Sequence, residues 1–202
     1  MTEQLKVFDV DYRYIGEETR ENVHEKGLWH ETFHCWLMDE ADVYIQKRSS
    51  KKKDFPGLFD ITAAGHLLAT ENVTDGTREV EEELGINVDP AKLVQAGVVR
   101  DVIELPSFID KEFANVFLYK STFSPTDFSL QDEEVEGIYT VGISEIKALF
   151  RNESKVVTCK NLRDGTLSEI TLNDFVPHET GYFHKVAEML EHQLMIRYNG
   201  FQ

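Results

Sequence analysis

Apolar and polar positions alternate along several short stretches of the chain, a pattern typical of β-strands. The opening stretch, residues 5–15, interleaves Val, Phe and Tyr with charged residues and predicts a strand or a hairpin. Two strands are expected at 32–38 and 43–47, joined by the polar turn 39–42. A short apolar segment at 59–64 follows a Phe-Pro-Gly break. The N-terminal part of the chain therefore predicts a sheet.

Helical spacing replaces this alternation just before Gly85, which is expected to end a helix in the left-handed conformation. Strand patterns resume at 93–104 and 112–123, where Val, Ile, Phe and Tyr are frequent. We expect these two strands to pair across a polar turn at 108–111. The middle of the chain thus predicts a helix followed by an antiparallel pair.

The C-terminal part predicts one more strand at 137–141 and a helix at 144–150, with Ser144 as its N-cap. A hairpin is expected around the Asp-Gly pair at 164–165. Apolar side chains at helical spacing then predict a final helix from about residue 181 to residue 194.

Composition disfavours several classes of function. The chain has 202 residues, enough for one domain with an ample core, and a formal net charge of -16 that disfavours binding to nucleic acid. Its two cysteines lie far apart, and the N-terminus lacks the apolar core of a secretory signal. No apolar run approaches the roughly 20 residues needed to cross a bilayer. We expect a soluble cytoplasmic protein with no membrane partner.

The predicted helix before Gly85 carries one face of carboxylates. Glu79, Glu82 and Glu83 fall on one side of a helix, whereas Val80 and Leu84 can face a core. Glutamate runs alone are more often solvated faces, but clustered carboxylates suit Mg²⁺, which also takes phosphate oxygens from a substrate. The helix therefore indicates phosphate ester or anhydride cleavage.

The segment around this helix resembles the Nudix box of the Nudix hydrolases. That box reads Gly, five residues, Glu, seven residues, Arg-Glu, apolar, any residue, Glu-Glu, any residue, Gly, apolar. Six residues, not seven, separate the first Glu from the Arg here, which shortens the loop 72–76. The matching positions are Gly65, Glu71, Arg78, Glu79, Val80, Glu82, Glu83, Gly85 and Ile86.

The resemblance implies an α/β (α+β) Nudix fold, in which a mixed β-sheet is sandwiched between helices (α/β/α), with a C-terminal strand-plus-helix extension. It implies a single Nudix domain over residues 1–202. The core is expected at about 28–150, an N-terminal strand or hairpin at 1–27, and the extension at 151–202.

The resemblance also implies a Mg²⁺-dependent hydrolase, with Mn²⁺ as an alternative ion, that cleaves a diphosphate linkage in a nucleoside diphosphate derivative or a related organic pyrophosphate. Glu79, Glu82 and Glu83 would hold the metal. A glutamate from the acidic loop 131–136 would be the general base, and Glu134 is preferred. Glu79 on the helix is the alternative base. The loop is equally well interpreted as a solvated acidic turn.

Two positions are expected to contact the substrate. Arg48 follows a strand whose partner leads to the box, which favours it over Lys51, Lys52 and Lys53 as a phosphate contact. Gly65 would leave room for close backbone approach.

The run 24–66 resembles, more narrowly, the Nudix relatives of the isopentenyl diphosphate isomerases. In those isomerases three histidines and two carboxylates hold a metal, and a Cys and a Glu move a proton. The Cys position is Ala64 here, and alanine cannot exchange protons, while Cys35 is expected to be a buried structural thiol. Hydrolysis is therefore favoured over isomerisation. The positions matching the metal ligands are His24, His30, His66, Asp110 and Glu112.

Other readings stay open. His30 and His34 alternate on one strand and can be satisfied polar groups at a sheet edge, and His178, His184 and His192 are interpreted as structural. A non-catalytic sensor of a nucleotide-like ligand is a third hypothesis. The partner is expected to be a small diphosphate, and the extra strands and last helix are compatible with a homodimer.

Overall fold

The computed structural model describes residues 2–105 and 108–199, with the backbone alone described for 194–199. The strands are β1 Gln4–Phe8, β2 Tyr14–Thr19, β3 Trp29–Met38, β4 Asp42–Arg48, β5 Phe59–Asp60, β6 Ala63–His66, β7 Leu93–Leu105, β8 Phe108–Lys120, β9 Val135–Gly142, β10 Val157–Asn161 and β11 Leu167–Ile170. The helices are α1 Arg20–Lys26, α2 Thr77–Leu84, α3 Ile143–Phe150 and α4 Thr180–Asn199.

The sheet is mixed because its two central strands run parallel. β3 pairs in parallel with β8 from Trp29–Lys111 to Met38–Lys120, whereas β8 pairs with β7 in antiparallel register. β3 and β4 pair only at Met38 and Val43 and then separate. Into the gap come β6, which pairs with β3, and β5, which pairs with β4. The functional side chains gather at this gap.

Helices cover both faces of the sheet, as expected. Alternate residues of β3 point to opposite sides, so that Phe33 and Leu37 pack beneath α2 with Val80. Trp36 and Met38 pack on the other face against α3 and α4. This layering confirms the predicted α/β/α arrangement.

Both ends of the chain form the expected elements. β1 and β2 make an antiparallel hairpin. β10 and β11 form the hairpin predicted at 164–165, and α4 packs on α3 and β7. The strand-plus-helix extension is thus confirmed. The predicted domain limits at residues 1 and 202 lie outside the described residues.

Two local predictions are wrong. Residues 108–111 are not a turn but the start of β8, because the β7–β8 ladder continues to Leu105–Phe108. Ser144 is not the N-cap of α3, since the helix begins at Ile143 with Gly142 at the cap and no side-chain capping bond. Within the described ranges, no helix combines the length and the apolarity that a membrane crossing requires.

Candidate active site

A cavity of about 360 Å³ lies where β3 and β4 separate. Its wall combines carboxylates from α2 with cationic and histidine side chains from the sheet and its loops. The predicted site residues that line it are Arg48, Gly65, His66, Glu79, Glu82, Glu83, Asp110, Glu112 and Glu134.

Arg78 organises the carboxylates at the mouth of this cavity. Its Nε donates to Glu71 Oε1 at 2.8 Å, and its Nη1 lies 2.8 Å from Glu79 Oε1 and 3.0 Å from Glu82 Oε2. Its Nη2 also donates to the backbone carbonyl of His66 at 3.2 Å. One guanidinium therefore ties α2 to the loop before it and to β6, and the shortened box loop still brings Glu71 to its partner.

Glu83 is buried, Glu79 is partly buried, and the pKa of each carboxyl is raised. Burial raises the pKa of Glu79 to about 7, with the charge of Glu82 adding to the rise and Arg78 opposing it. Burial and the nearby Glu79 raise the pKa of Glu83 to about 8, although Gln46 Nε2 donates to it at 3.2 Å. Two carboxyls held close in a buried cavity resist joint ionisation unless a cation joins them. Their donor chemistry fits a hard divalent ion such as Mg²⁺.

Gly65 makes room for a side chain of the protein itself. A Cβ at this position would lie 2.2 Å from Glu79 Cδ and 2.3 Å from its Oε1. Glu79 therefore occupies the space that the missing side chain leaves on β6. Contact between Gly65 and the substrate stays a prediction.

Within the described part of the chain, two of the three guanidinium nitrogens of Arg48 donate hydrogen bonds to other protein groups, and the third does not. Its Nη1 donates to Asp60 Oδ2 at 2.8 Å and its Nη2 to the carbonyl of Asp54 at 3.0 Å. Its Nε is buried and has no hydrogen-bond partner among the described residues. A cation that lines a cavity with an unused N–H suits an anionic ligand.

The acidic loop reaches the same cavity through Glu134. This carboxylate is ion-paired with Lys52, and both side chains line the cavity. Glu133, its neighbour, is largely exposed and pairs with Lys51 outside the cavity. The preferred base candidate therefore lies on the same cavity wall as the α2 carboxylates.

Histidines and one aspartate from separate elements form a second cluster. His24 is a buried residue of α1, a helix that Thr19 caps at its start and that Gly27, at φ 60°, ends. His24 Nε2 lies 3.1 Å from His66 Nε2 on β6, and His30 Nε2 on β3 lies 3.3 Å from an Asp110 oxygen on β8. The four ligand atoms lie within 4.8 Å of one another.

In this cluster an unprotonated histidine nitrogen faces a carboxylate oxygen, and both atoms are hydrogen-bond acceptors. His30 Nδ1 is 3.1 Å from the carbonyl of Leu28 and donates to it. Burial lowers the pKa of His30, so the ring is neutral and Nε2 is an acceptor. Nε2 and Asp110 Oδ1 are both buried without a hydrogen-bond partner among the described side chains. Orphaned acceptors that face each other fit a divalent cation.

Glu112, the fifth candidate, lies next to this cluster but points to another partner. Its Oε2 is 3.2 Å from His34 Nε2, and His34 Nδ1 is 2.9 Å from the Tyr182 hydroxyl. The structure thus brings four of the five candidate ligands together and pairs the fifth with His34.

Comparison with known proteins identifies the family. The model of the NUDIX domain matches residues 28–159. An uncharacterized Nudix hydrolase of Clostridium acetobutylicum is 34% identical over 199 residues, covering 93% of this chain and 97% of the relative. This chain belongs to the Nudix family. Its expected assignment to the hydrolases of phosphoric anhydrides is confirmed by the same two matches.

Further comparisons place the chain near a Nudix subgroup and confirm the fold. An isopentenyl-diphosphate delta-isomerase of Mycolicibacterium vanbaalenii is 30% identical over 118 residues, 57% of this chain and 65% of that protein. A crystal structure from Deinococcus radiodurans, 17% identical, superposes with a TM-score of 0.57 over 72% of this chain and 87% of its own. The similarity to isomerases read from the sequence is therefore confirmed.

This Nudix chain lacks a cysteine at the position where the isomerases carry their catalytic thiol. Ala64 packs on the cavity side of β6, opposite His34 in the strand register. Cys35 points to the other face, into the core beneath α2, where burial raises the pKa of its thiol to about 12. Neither position supplies a thiol to the cavity.

His178 is the cavity residue that sequence reasoning placed elsewhere. It was expected to be structural, yet it lines the cavity of this Nudix protein between Asp60 and Asp101. No local pattern marks it, because its two partners lie 118 and 77 residues earlier in the chain. Of the other extension histidines, His184 and His192 are exposed.

Proposed function

We propose that this Nudix protein is a Mg²⁺-dependent hydrolase that cleaves a diphosphate linkage in a nucleoside diphosphate derivative or a related organic pyrophosphate. The observation that carries the proposal is that one cavity is lined both by the carboxyls Glu79 and Glu83, whose pKa values are raised, and by the cations Arg48 and Lys52. Carboxylates and phosphate oxygens can share a divalent ion, while the cations bind the remaining phosphate charge.

Each side chain then has a distinct role. Glu79, Glu82 and Glu83 would hold Mg²⁺, or Mn²⁺ in its place. When bound, such an ion neutralises phosphoryl charge and lowers the pKa of a bound water. Arg48, which lines the cavity, would contact substrate phosphate, and Arg78 would keep Glu79 and Glu82 aligned.

A panel of substrates tests this proposal. Purified protein is incubated with nucleoside diphosphate sugars, dinucleoside polyphosphates, nucleotides and coenzymes, with Mg²⁺, with Mn²⁺ and with chelator. We expect release of phosphate or mononucleotide from at least one class, and none with chelator. Ligand-induced stabilisation without turnover across the panel would instead support the non-catalytic sensor.

Glu134 should supply the base. We expect Glu134→Gln to lower kcat by about 10²- to 10⁴-fold, the usual share of general-base catalysis, with the affinity for Mg²⁺ retained. Glu133→Gln, an exposed neighbour, is the matched control and should keep wild-type kcat. Steady-state kinetics on the panel substrate measure both. Full activity of Glu134→Gln would move the base to Glu79.

The histidine cluster should bind a second ion of different chemistry. Imidazole nitrogens suit borderline metals, so His24, His30, His66 and Asp110 would take Zn²⁺ or Mn²⁺ more tightly than Mg²⁺. We expect His30→Gln to weaken this binding by at least about 10²-fold, measured by competition titration with a chromogenic chelator. His184→Gln, on the exposed side of α4, should match wild type. Equal affinity in both variants would remove the second site.

The isomerase is the alternative function, and the histidine cluster together with the isomerase relatives is what favours it. Ala64 opposes it because the cavity lacks the thiol that moves a proton. Incorporation of solvent deuterium into dimethylallyl diphosphate by the purified protein would establish isomerisation. A homodimer and a cytoplasmic location remain predictions.

A further inference from the structure

The C-terminal segment enters the cavity through one buried histidine. His178 precedes α4 and lies outside residues 28–159, which match the Nudix domain. Its Nδ1 lies 2.5 Å from Asp101 Oδ2, and its Nε2 lies 3.2 Å from Asp60 Oδ1. Both ring nitrogens are therefore engaged by carboxylates. No ring N–H is left for a substrate, so His178 acts on other protein groups.

Asp60 carries this contact on to Arg48. One carboxylate oxygen faces His178, while the other accepts from Arg48 Nη1 at 2.8 Å. Asp60 is only 5% exposed, and the backbone N–H of Ile61 also donates to Oδ1 at 2.8 Å. The carboxylate thus has a separate cation on each oxygen, and its orientation determines where the guanidinium lies.

Asp60, Asp101, His178 and Arg48 form one connected set of side chains. Two of them are anions and two are cations. Burial lowers the pKa of His178, but hydrogen bonds to Asp101 and Asp60 outweigh it and raise the pKa to about 10. Burial raises the pKa of Asp60, but the hydrogen bond from His178 and the charge of Arg48 outweigh burial, so the pKa is lowered overall. A neutral ring has a single N–H, so it would leave one aspartate facing a lone pair. The imidazolium is the form that satisfies both carboxylates.

The ring of His178 is itself held firmly. It stacks on Tyr182 with centroids 4.7 Å apart, and the backbone N–H of Glu179 donates to Asp101 Oδ1 at 2.8 Å. Asp101 is only 1% exposed. The first turn of α4 is thereby fixed against β7, and the histidine cannot move without breaking these contacts.

We infer that His178 is a positioning residue for substrate phosphate: through Asp60 it orients Arg48, so that the C-terminal segment completes the phosphate site. The inference rests on the proposed function, in which Arg48 contacts the diphosphate. It assigns a role in ligand binding to residues beyond the matched Nudix domain.

A double-mutant cycle tests the inference with inorganic pyrophosphate and Mg²⁺ as the probe, followed by calorimetry. We expect Arg48→Gln and His178→Gln each to weaken binding about tenfold and the double variant also about tenfold, because both changes act on one guanidinium. KM of the panel substrate should rise by similar factors with kcat within about twofold. His184→Gln is the matched control and should bind like wild type. Wild-type affinity of His178→Gln, or a double variant about a hundredfold weaker, overturns the inference.

Two further measurements test the inference even if His178→Gln does not fold. Asp101→Asn removes the negative charge of one partner of His178 without changing Arg48, and we expect about threefold weaker binding. Unchanged binding would count against the inference. In the wild type, ¹⁵N NMR at pH 8 should show His178 doubly protonated, and a neutral ring would overturn the inference. If the wild-type protein releases no product from any substrate of the panel, the proposed function itself fails. If a panel substrate is turned over and His178→Gln keeps the wild-type KM, this inference alone fails.

Discussion

Glu83→Gln is expected to lower metal-dependent turnover by about 10³-fold while the protein stays folded. The loss is expected because a divalent ion contributes several kcal/mol of charge stabilisation and Glu83, which is buried, is one of its proposed ligands. The fold should survive, since the carboxyl, with its pKa raised to about 8, is largely protonated near neutral pH and Gln closely matches that form. Gln46 still finds an amide oxygen to which it can donate.

Glu81→Gln is the control for this experiment. Glu81 lies two residues earlier on α2, is exposed, and does not line the cavity. Both variants replace one glutamate of the same helix by glutamine, so a general effect of this replacement on α2 would appear in both. Kinetics with titrated Mg²⁺ and the melting temperature distinguish the cases. Equal turnover in Glu83→Gln and Glu81→Gln would show that Glu83 does not hold the metal.

Gly65→Ala should reduce turnover by about 10²-fold with little loss of stability. The new methyl group would lie 2.2 Å from Glu79 Cδ, so the Glu79 side chain must leave its place beside β6. A displacement of about 1 Å in a catalytic constellation costs about 10²-fold. The affected atoms belong to a flexible side chain at the edge of a cavity, which is why the fold should tolerate the change.

Gly76→Ala provides the contrasting case. A Cβ there would lie 2.4 Å from Phe33 Cβ, a fully buried residue of the core beneath α2. We expect this variant to lose about 1–3 kcal/mol of stability, as overpacked cores do. Turnover per folded molecule should fall less than in Gly65→Ala. Denaturant unfolding and kinetics on both proteins check the pair, and the reverse pattern would contradict the role given to Gly65.

Periodicity in the sequence predicts the elements well where a face is buried. Val80 and Leu84 mark the buried side of α2, and the strands β3 and β4 follow from their apolar runs. The start of β8 is misread because Asp110 and Lys111 look like turn residues. They belong to a strand instead, since the side chain of Asp110 turns into a polar cavity and not into an apolar core.

The candidate site is only partly accessible to sequence reasoning. The carboxylates of α2 share a local pattern, so their common face can be derived from spacing. The convergence of His24, His30, His66 and Asp110 cannot be derived in this way, because they come from α1, β3, β6 and β8; it was expected only from family resemblance. His178 lacked both kinds of signal. Its role depends on carboxylates that only the folded chain brings near.

β3 limits how the length of this chain can vary. His30, Thr32 and His34 lie on one face of the strand, where His34 lines the cavity, and Phe33, Cys35 and Leu37 turn the other way into the core. One inserted residue would exchange the two sets, placing imidazoles beneath α2 and an aromatic ring beside the metal ligands. The turn between β10 and β11, exposed at 163–166, has no such constraint. Insertions and deletions among relatives should therefore collect at that turn and spare β3.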